Sequence, residues 1–218
     1  MNPLTRETFA FLRELAQNNR KTWMDENRER YETHVVGALR RLVSELAPPL
    51  TALDPAFETS GRFGTNLSRI NRDTRFAKDK APYRTRVYVT FSRRGVQDGA
   101  QFFIGIGGNV SLGIRCYGGA KHSILRTLGP IRAADNPEFL QEARKHLRRR
   151  YECYWYRGGS WTKVAAFPVD VEDWRVLKGI VVRRVLTVSD ALRPGFVKSV
   201  AKTFADLYPL HRFTALAE

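Results

Sequence analysis

The chain is poor in cysteine: Cys116 and Cys153 are the only two in 218 residues. A secreted domain stapled by disulfides would use more, so a reducing, cytoplasmic setting is expected. No C-x-x-C occurs, which removes zinc ribbons and thioredoxin-like redox chemistry. Histidine is also scarce. His34, His122, His146 and His211 form no H-E-x-x-H and share no ligand spacing, so no zinc centre is expected. There is no Walker lysine motif and no G-x-S-x-G. No apolar run approaches the ~18 residues that suggest a membrane span. The first residues lack a positive stretch followed by an apolar one, so no signal peptide is expected either.

Acidic residues are outnumbered. Lysine and arginine total 37 against 22 aspartates and glutamates, a formal net charge of +15. Such an excess favours an anionic small molecule or nucleic acid as partner. The plain alternative is an arginine-rich composition with no clustering. Hydrophobic content of 43% is ordinary for a globular protein, and the length fits one domain over 1–218.

The periodicities place helices at both ends and strands between. Thr5 is a good N-cap for a helix carrying Phe9, Leu12 and Leu15, ended by Asn18-Asn19 in a left-handed cap. A second helix is expected from Lys21 to Leu46, stopped by Pro48-Pro49. Val87, Val89 and Phe91 alternate with Tyr88 and Thr90, a strand pattern. A strand over 101–107, a turn at Gly108-Asn109 and a strand over 110–117 follow. The glycines Gly105, Gly107 and Gly108 only faintly resemble a dinucleotide fingerprint; they lead into a strand and suit a hairpin better. A helical turn is expected over 123–128. Asn136-Pro137-Glu138 starts a helix whose second half, 144–150, is crowded with cations. Residues 151–157 read as an aromatic strand with a turn at Gly158-Gly159. Its Tyr151, Tyr154, Trp155 and Tyr156, with Trp161, either pack or stack on bases. Cys153 among them reads as packing. A short helix over 170–178, a strand over 179–188 and a final helix ending at Pro209 complete the chain. Segregation of this kind predicts an α+β fold: a central antiparallel sheet, built as a meander, with helices from both chain ends packed against it.

One stretch stands apart, residues 69–86. It holds seven cations (Arg69, Arg72, Arg75, Lys78, Lys80, Arg84, Arg86) and two carboxylates, Asp73 and Asp79. Two readings are open. Guanidiniums and carboxylates can close on one another as charge-assisted pairs, making a structural knot that Phe76 and Tyr83 plug down. Alternatively, the surplus cations aim at a phosphate or carboxylate ligand.

Residues 72–85, R-D-T-R-F-A-K-D-K-A-P-Y-R-T, closely resemble the signature R-D-x-R-F-[S]-x-D-K-x-P-Y-[KR]-T of a bacterial and fungal domain-of-unknown-function family. Phe11-Leu12, Asn18-Asn19 and Trp23 resemble its N-terminal helix pair. Leu177-Lys178-Gly179 with Val181-Val182, and the stretch from Phe196 to Pro209, resemble its later parts. Ala77 stands where the family usually has Ser. The resemblance implies a compact α+β domain and no particular reaction.

Three functions fit. In the first, an anion site, in a small-molecule enzyme or binding protein, uses Arg72, Arg75, Lys80, Tyr83 and Arg84 as ligand groups, with Asn19 and Trp23 at the rim. Asp73 or Asp79 would then act as general base or Mg²⁺ ligand, although nothing in the sequence requires a cofactor. The second is a nucleic-acid-binding protein or nuclease, with Arg93-Arg94 and the 144–150 helix extending a phosphate track. The third is an interaction protein in which the motif is a salt-bridge knot.

Overall fold

The computed structural model describes residues 2–95, 99–117 and 128–215. The helical turn expected over 123–128 lies, except for Leu128, outside them, as does His122. Among the described residues six strands make one open antiparallel sheet: β1 (Val87–Phe91), β2 (Ala100–Ile106), β3 (Val110–Tyr117), β4 (Glu152–Arg157), β5 (Ser160–Val164) and β6 (Gly179–Leu186). Their order is β1-β2-β3-β6-β4-β5. The expected meander is β1-β2-β3. Helices precede the sheet and close the chain, so the fold is α+β as the segregated pattern predicted. The chain divides into two compact units. One comprises Met1–Phe91, Ile104–Ser111 and Val185–Lys202; the other comprises Ser92–Phe103, Leu112–Arg184 and Thr203–Glu218.

The first unit opens with α1 (Arg6–Gln17). Thr5 and Thr8 form a reciprocal capping box, each hydroxyl accepting from the other's backbone N–H. Its buried face is Thr8, Phe9, Phe11, Leu12 and Leu15. Asn18 does end the helix, but with φ −127°, not in the left-handed region. Both its backbone and side-chain N–H groups donate to Glu14 O, at 2.9 and 3.0 Å. The expected helix over 21–46 is instead a series: α2 (Lys21–Glu26), α3 (Arg28–Arg30), a π-helical stretch (Tyr31–Val36) and α4 (Gly37–Leu53). Residues 23, 27, 31, 35 and 39 step by four throughout. An α-helix drifts about 40° per such step, and a widened turn absorbs the drift. The Thr8 hydroxyl donates to His34 O from across the helix pair, at 2.8 Å.

Pro48 and Pro49 do not stop α4, which runs through them to Leu53. Two adjacent prolines withdraw two amide donors, a local loss. Leu46 and Leu50 are fully buried on either side, and Thr51 Oγ1 donates back to Ala47 O at 2.9 Å. Burial of that face outweighs the local breaker. In β1, Val87, Val89 and Phe91 are buried and Tyr88 and Thr90 half-buried, as the alternation predicted. Gly105 is required by close approach: a Cβ there would lie 2.7 Å from the Tyr88 ring. α8 (Val188–Ala191) has a Thr187–Asp190 capping box.

In the second unit, α5 (Gly129–Asp135) is followed by α6 (Pro137–Leu147), with Pro137 at its first position. The Asn136 side chain caps backward, donating to Arg132 O at 2.9 Å. β4 and β5 form a hairpin through Gly158 (φ 56°) and Gly159 (φ 88°). Its second strand begins at Ser160, directly after the turn. α7 (Val171–Val176) buries Trp174, which packs edge-on against Phe167 and Phe213. The closing helix α9 (Phe196–Thr214) runs through Pro209. Again burial decides, here at Leu207, Leu210 and His211, and Arg132 collects carbonyls of Phe213 and Ala215 at its C-terminal end. Phe102 stacks on Phe204 at 4.6 Å between centroids, and His211 Nε2 lies 3.1 Å from Ala100 O.

Glu152 on β4 is a polar staple on this unit. It accepts from Lys163 (2.6 Å), Arg183 (3.0 Å) and Tyr154 (3.1 Å). The Lys163 bond and, behind it, those of Arg183 and Tyr154 outweigh burial and hold its carboxyl below the ordinary range. A carboxyl depressed in the folded state stabilises above its unfolded pKa, and that stabilisation is lost as pH falls through the folded value. Glu152→Gln is therefore expected to cost about 1 kcal/mol at neutral pH. It should also make urea-measured stability fall less steeply on acidification below about pH 4.5, the ordinary glutamate range. An unchanged acid limb would remove Glu152 from this role.

Candidate functional site

The 69–86 stretch lies in the first unit and is an irregular hairpin. Its outgoing arm runs antiparallel to its return into β1. Leu67 bridges Val89, and Asn71 bridges Tyr83. Ser68 N donates to Tyr88 O at 3.0 Å, and Tyr88 N donates to Ser68 Oγ at 2.8 Å. Arg84 N donates to Ile70 O (2.7 Å) and Arg72 N to Pro82 O (2.8 Å). The tip is residues 73–81. The arm covers the rim of β1, an end strand in the sheet order. Asn66, 1% exposed, pins the arm's root: its amide donates to Glu58 O and Thr90 O, and its Oδ1 accepts from Gly61 N.

Within the tip both aspartates are taken by arginines. Arg75 makes a two-pronged pair with Asp73, Nε to Oδ1 at 3.0 Å and a terminal nitrogen to Oδ2 at 2.7 Å. Arg72 pairs with Asp79 at 2.6 Å. Each aspartate also accepts a backbone N–H two residues on, Asp73 from Arg75 and Asp79 from Ala81. These are Asx turns, the reason a short acid at each position folds the chain locally. Lys80 Nζ donates to Thr74 O and Arg75 O, closing the tip.

Two side chains fasten the hairpin. Asn19, just past α1, grips Tyr83 through the main chain: its Nδ2 donates to Tyr83 O at 2.8 Å, and Tyr83 N donates to its Oδ1 at 3.0 Å. The Tyr83 side chain is buried. Arg86 donates to Gly105 O (3.1 Å), Ser111 Oγ (3.2 Å) and Asn109 Oδ1, tying the return arm to the β2–β3 turn. Trp23, on α2, is half-buried, with its ring 5.4 Å from that of Phe11. Of the residues singled out in the sequence, Asp73, Arg75, Asp79 and Lys80 share the tip, Arg72 reaches Asp79 from the arm, and Asn19 and Tyr83 share one pair of bonds.

The expected plug divides. Tyr83 is buried, but Phe76 is 95% exposed at the tip, so it plugs nothing. The internal pairs close the turn beneath it, leaving its ring without a floor. The Arg75 guanidinium sits 5.9 Å from the ring centroid. Arg69, Lys78 and Arg84 are exposed and make no side-chain hydrogen bond or ion pair with any described residue. The side-chain bond from Arg75 holds the Asp73 carboxyl below its ordinary range, and that from Arg72 does the same for Asp79. Carboxylates so depressed are poor general bases near neutrality. A divalent ion would have to displace a guanidinium from each of them. Among the described residues no group of three or more His, Cys, Asp or Glu side chains is arranged to hold a metal. No helix among them is long and apolar enough to cross a membrane.

Residues 7–213 match the family described as conserved hypothetical protein DUF2461. The chain belongs to this family. The match takes in both Asn18-Asn19 and the whole hairpin, which the resemblance named separately and the Asn19–Tyr83 bonds join. Comparison with curated proteins and with solved structures gives no match.

One further cluster of this DUF2461 chain had no signal in its sequence. In the second unit Asp206 accepts from Tyr151 OH at 2.6 Å and lies 2.8 Å from His146 Nε2. Burial pushes Asp206 up, but the Tyr151 and His146 bonds together leave it below the ordinary range. Nothing local links positions 146, 151 and 206. Beside Tyr151 the aromatic strand turns Cys153 inward, where burial raises its thiol to about 11. That fits packing, not nucleophilic chemistry. Tyr156 and Trp161 pack with Tyr117, while the Trp161 and Tyr117 rings stay 42% and 49% exposed.

Proposed function

We propose that the 69–86 hairpin binds phosphate-bearing polymers and that its ligand is a single nucleic-acid strand. The observation that carries this is Phe76: a large apolar ring, 95% exposed, held at the tip of a rigidly braced turn. An isolated Phe in that position gains nothing from the fold. Bases offer π faces for it to stack on, and Arg75 beside it adds a cationic plane. Arg69, Lys78 and Arg84 supply uncommitted charge for phosphates, and the net charge of +15 assists encounter. The Asp–Arg pairs serve as the brace. This reading favours a binding protein over a small-molecule enzyme, because the acids of the tip are already engaged by arginines.

The test is fluorescence anisotropy with labelled single-stranded DNA and RNA oligonucleotides over a salt series. Phe76→Ala is expected to weaken binding by about 1–3 kcal/mol at every salt concentration, the value of one stacked base. Lys78→Ala with Arg84→Ala should lower the log–log salt slope by roughly 1–2. Thermal stability should change little in either variant, since Lys78 and Arg84 form no side-chain hydrogen bond or ion pair with a described residue and Phe76 is 95% exposed, touched only by the exposed Arg75. Wild-type affinity equal to that of Phe76→Ala would overturn the proposal.

A further inference from the structure

The second unit carries a cavity that owes nothing to the hairpin. It encloses about 450 Å³ between the end of α6 and the strand that follows. Leu147, Cys153 and Phe167 form a buried apolar floor, 2–5% exposed, with Ala165 and Ala166 beside it. Arg144, Arg148 and Arg149 stand at its mouth, with Lys145. Lys145 is already paired with Glu142 at 2.7 Å. The three arginines make no side-chain hydrogen bond or ion pair with any described residue.

A structural account of these cations exists, since positive charge suits a helix C-terminus. It covers Arg144 in the last turn. It does not cover Arg149, which lies beyond the helix with φ 67°. Among the described residues it is the only non-glycine in the left-handed region. Glycine would sit there without strain, and asparagine with less. Strained side chains of this kind gather where a group must be aimed at a ligand. Here the strained residue places a third guanidinium beside an apolar hollow.

We infer that this cavity binds an amphipathic anion: a carboxylate or phosphate monoester at the Arg144, Arg148 and Arg149 mouth, carrying an apolar body that rests on Leu147, Cys153 and Phe167. The volume suits a small organic ligand. Guanidinium forks recognise the oxygens of either headgroup. A bare phosphate would leave the floor unfilled, and a neutral chain would leave the arginines unanswered. Both halves are therefore needed for binding.

Isothermal titration calorimetry on the full chain tests this with four probes at millimolar concentration: octyl phosphate, octanoate, octanol and inorganic phosphate. At least one of the two amphipathic anions should bind at least tenfold more tightly than octanol and phosphate; which one names the headgroup. Arg149→Gly is the decisive variant. It removes the guanidinium while relieving the backbone, so the melting temperature should hold or rise as affinity drops about tenfold. Arg148→Ala should lose a similar factor. A signal from neither anion, or equal binding by all four probes, overturns the inference. So does an affinity unchanged in Arg149→Gly at an undiminished melting temperature.

Discussion

Gly113→Ala is expected to be the most damaging single substitution in the second unit. A Cβ at position 113 would lie 2.0 Å from Val182 O and 2.8 Å from Arg183 Cα. Both contacts are with the backbone of the neighbouring strand β6, so no side chain can rotate away. Either β3 and β6 separate or the ladder between them breaks. Overpacking in cores costs about 1–3 kcal/mol when side chains can adjust, and a backbone clash belongs at or beyond the top of that range. A domain's whole stability is only about 5–15 kcal/mol. Urea denaturation of Gly113→Ala should show a midpoint far below wild type, or the protein should be recovered unfolded. Gly158→Ala makes the comparison. That glycine has φ 56° and open space around it, so only backbone strain of about 1 kcal/mol is expected. Equal midpoints for the two variants would mean that the strands do not approach so closely.

The second large effect belongs to Asn19→Ala. Its amide satisfies both main-chain groups of Tyr83, and alanine satisfies neither. Two hydrogen bonds contribute about 1 kcal/mol each, and leaving partly buried partners unmet adds to that. A loss of about 2–4 kcal/mol follows. Asn19→Asp should fall in the same range at neutral pH, because a carboxylate cannot donate to Tyr83 O. Tyr83→Phe tests the other half. The phenol makes no hydrogen bond with a described residue, so its removal should change stability by less than about 0.5 kcal/mol. If Asn19→Ala were as mild as Tyr83→Phe, the fastening would be elsewhere. Chemical denaturation of the three variants decides it.

The elements that could be read from sequence are those whose cause is local. Thr5 announced α1, Asn136-Pro137 announced α6, and Val87, Val89 and Phe91 announced β1, because caps and alternation act within a few residues. The fold class followed from their order. Pro48-Pro49 and Pro209 misled for the complementary reason: the local loss is real, but burial of Leu50 and Leu210 on distant surfaces outweighs it. The place of β6 between β3 and β4 was hidden likewise, since it depends on pairing far along the chain. In the candidate site the Arg–Asp pairing was legible because partners lie two and seven residues apart. Phe76 was not. An aromatic in a motif suggests burial, and only the closed turn beneath it shows that there is nothing for it to enter. Asn18-Asn19 read as a cap; Asn18 is one, while Asn19 finds its partner 64 positions away.

Since Asn19 grips atoms that every residue but proline possesses, the two positions should answer differently to exchange. A saturation library at 83 should keep this fastening with any side chain that fills the buried site. A library at 19 should find scarcely a substitute, as the amide alone has a donor and an acceptor set side by side at that reach. The fastening is thus written into one residue of the pair, and the other serves only by being polypeptide.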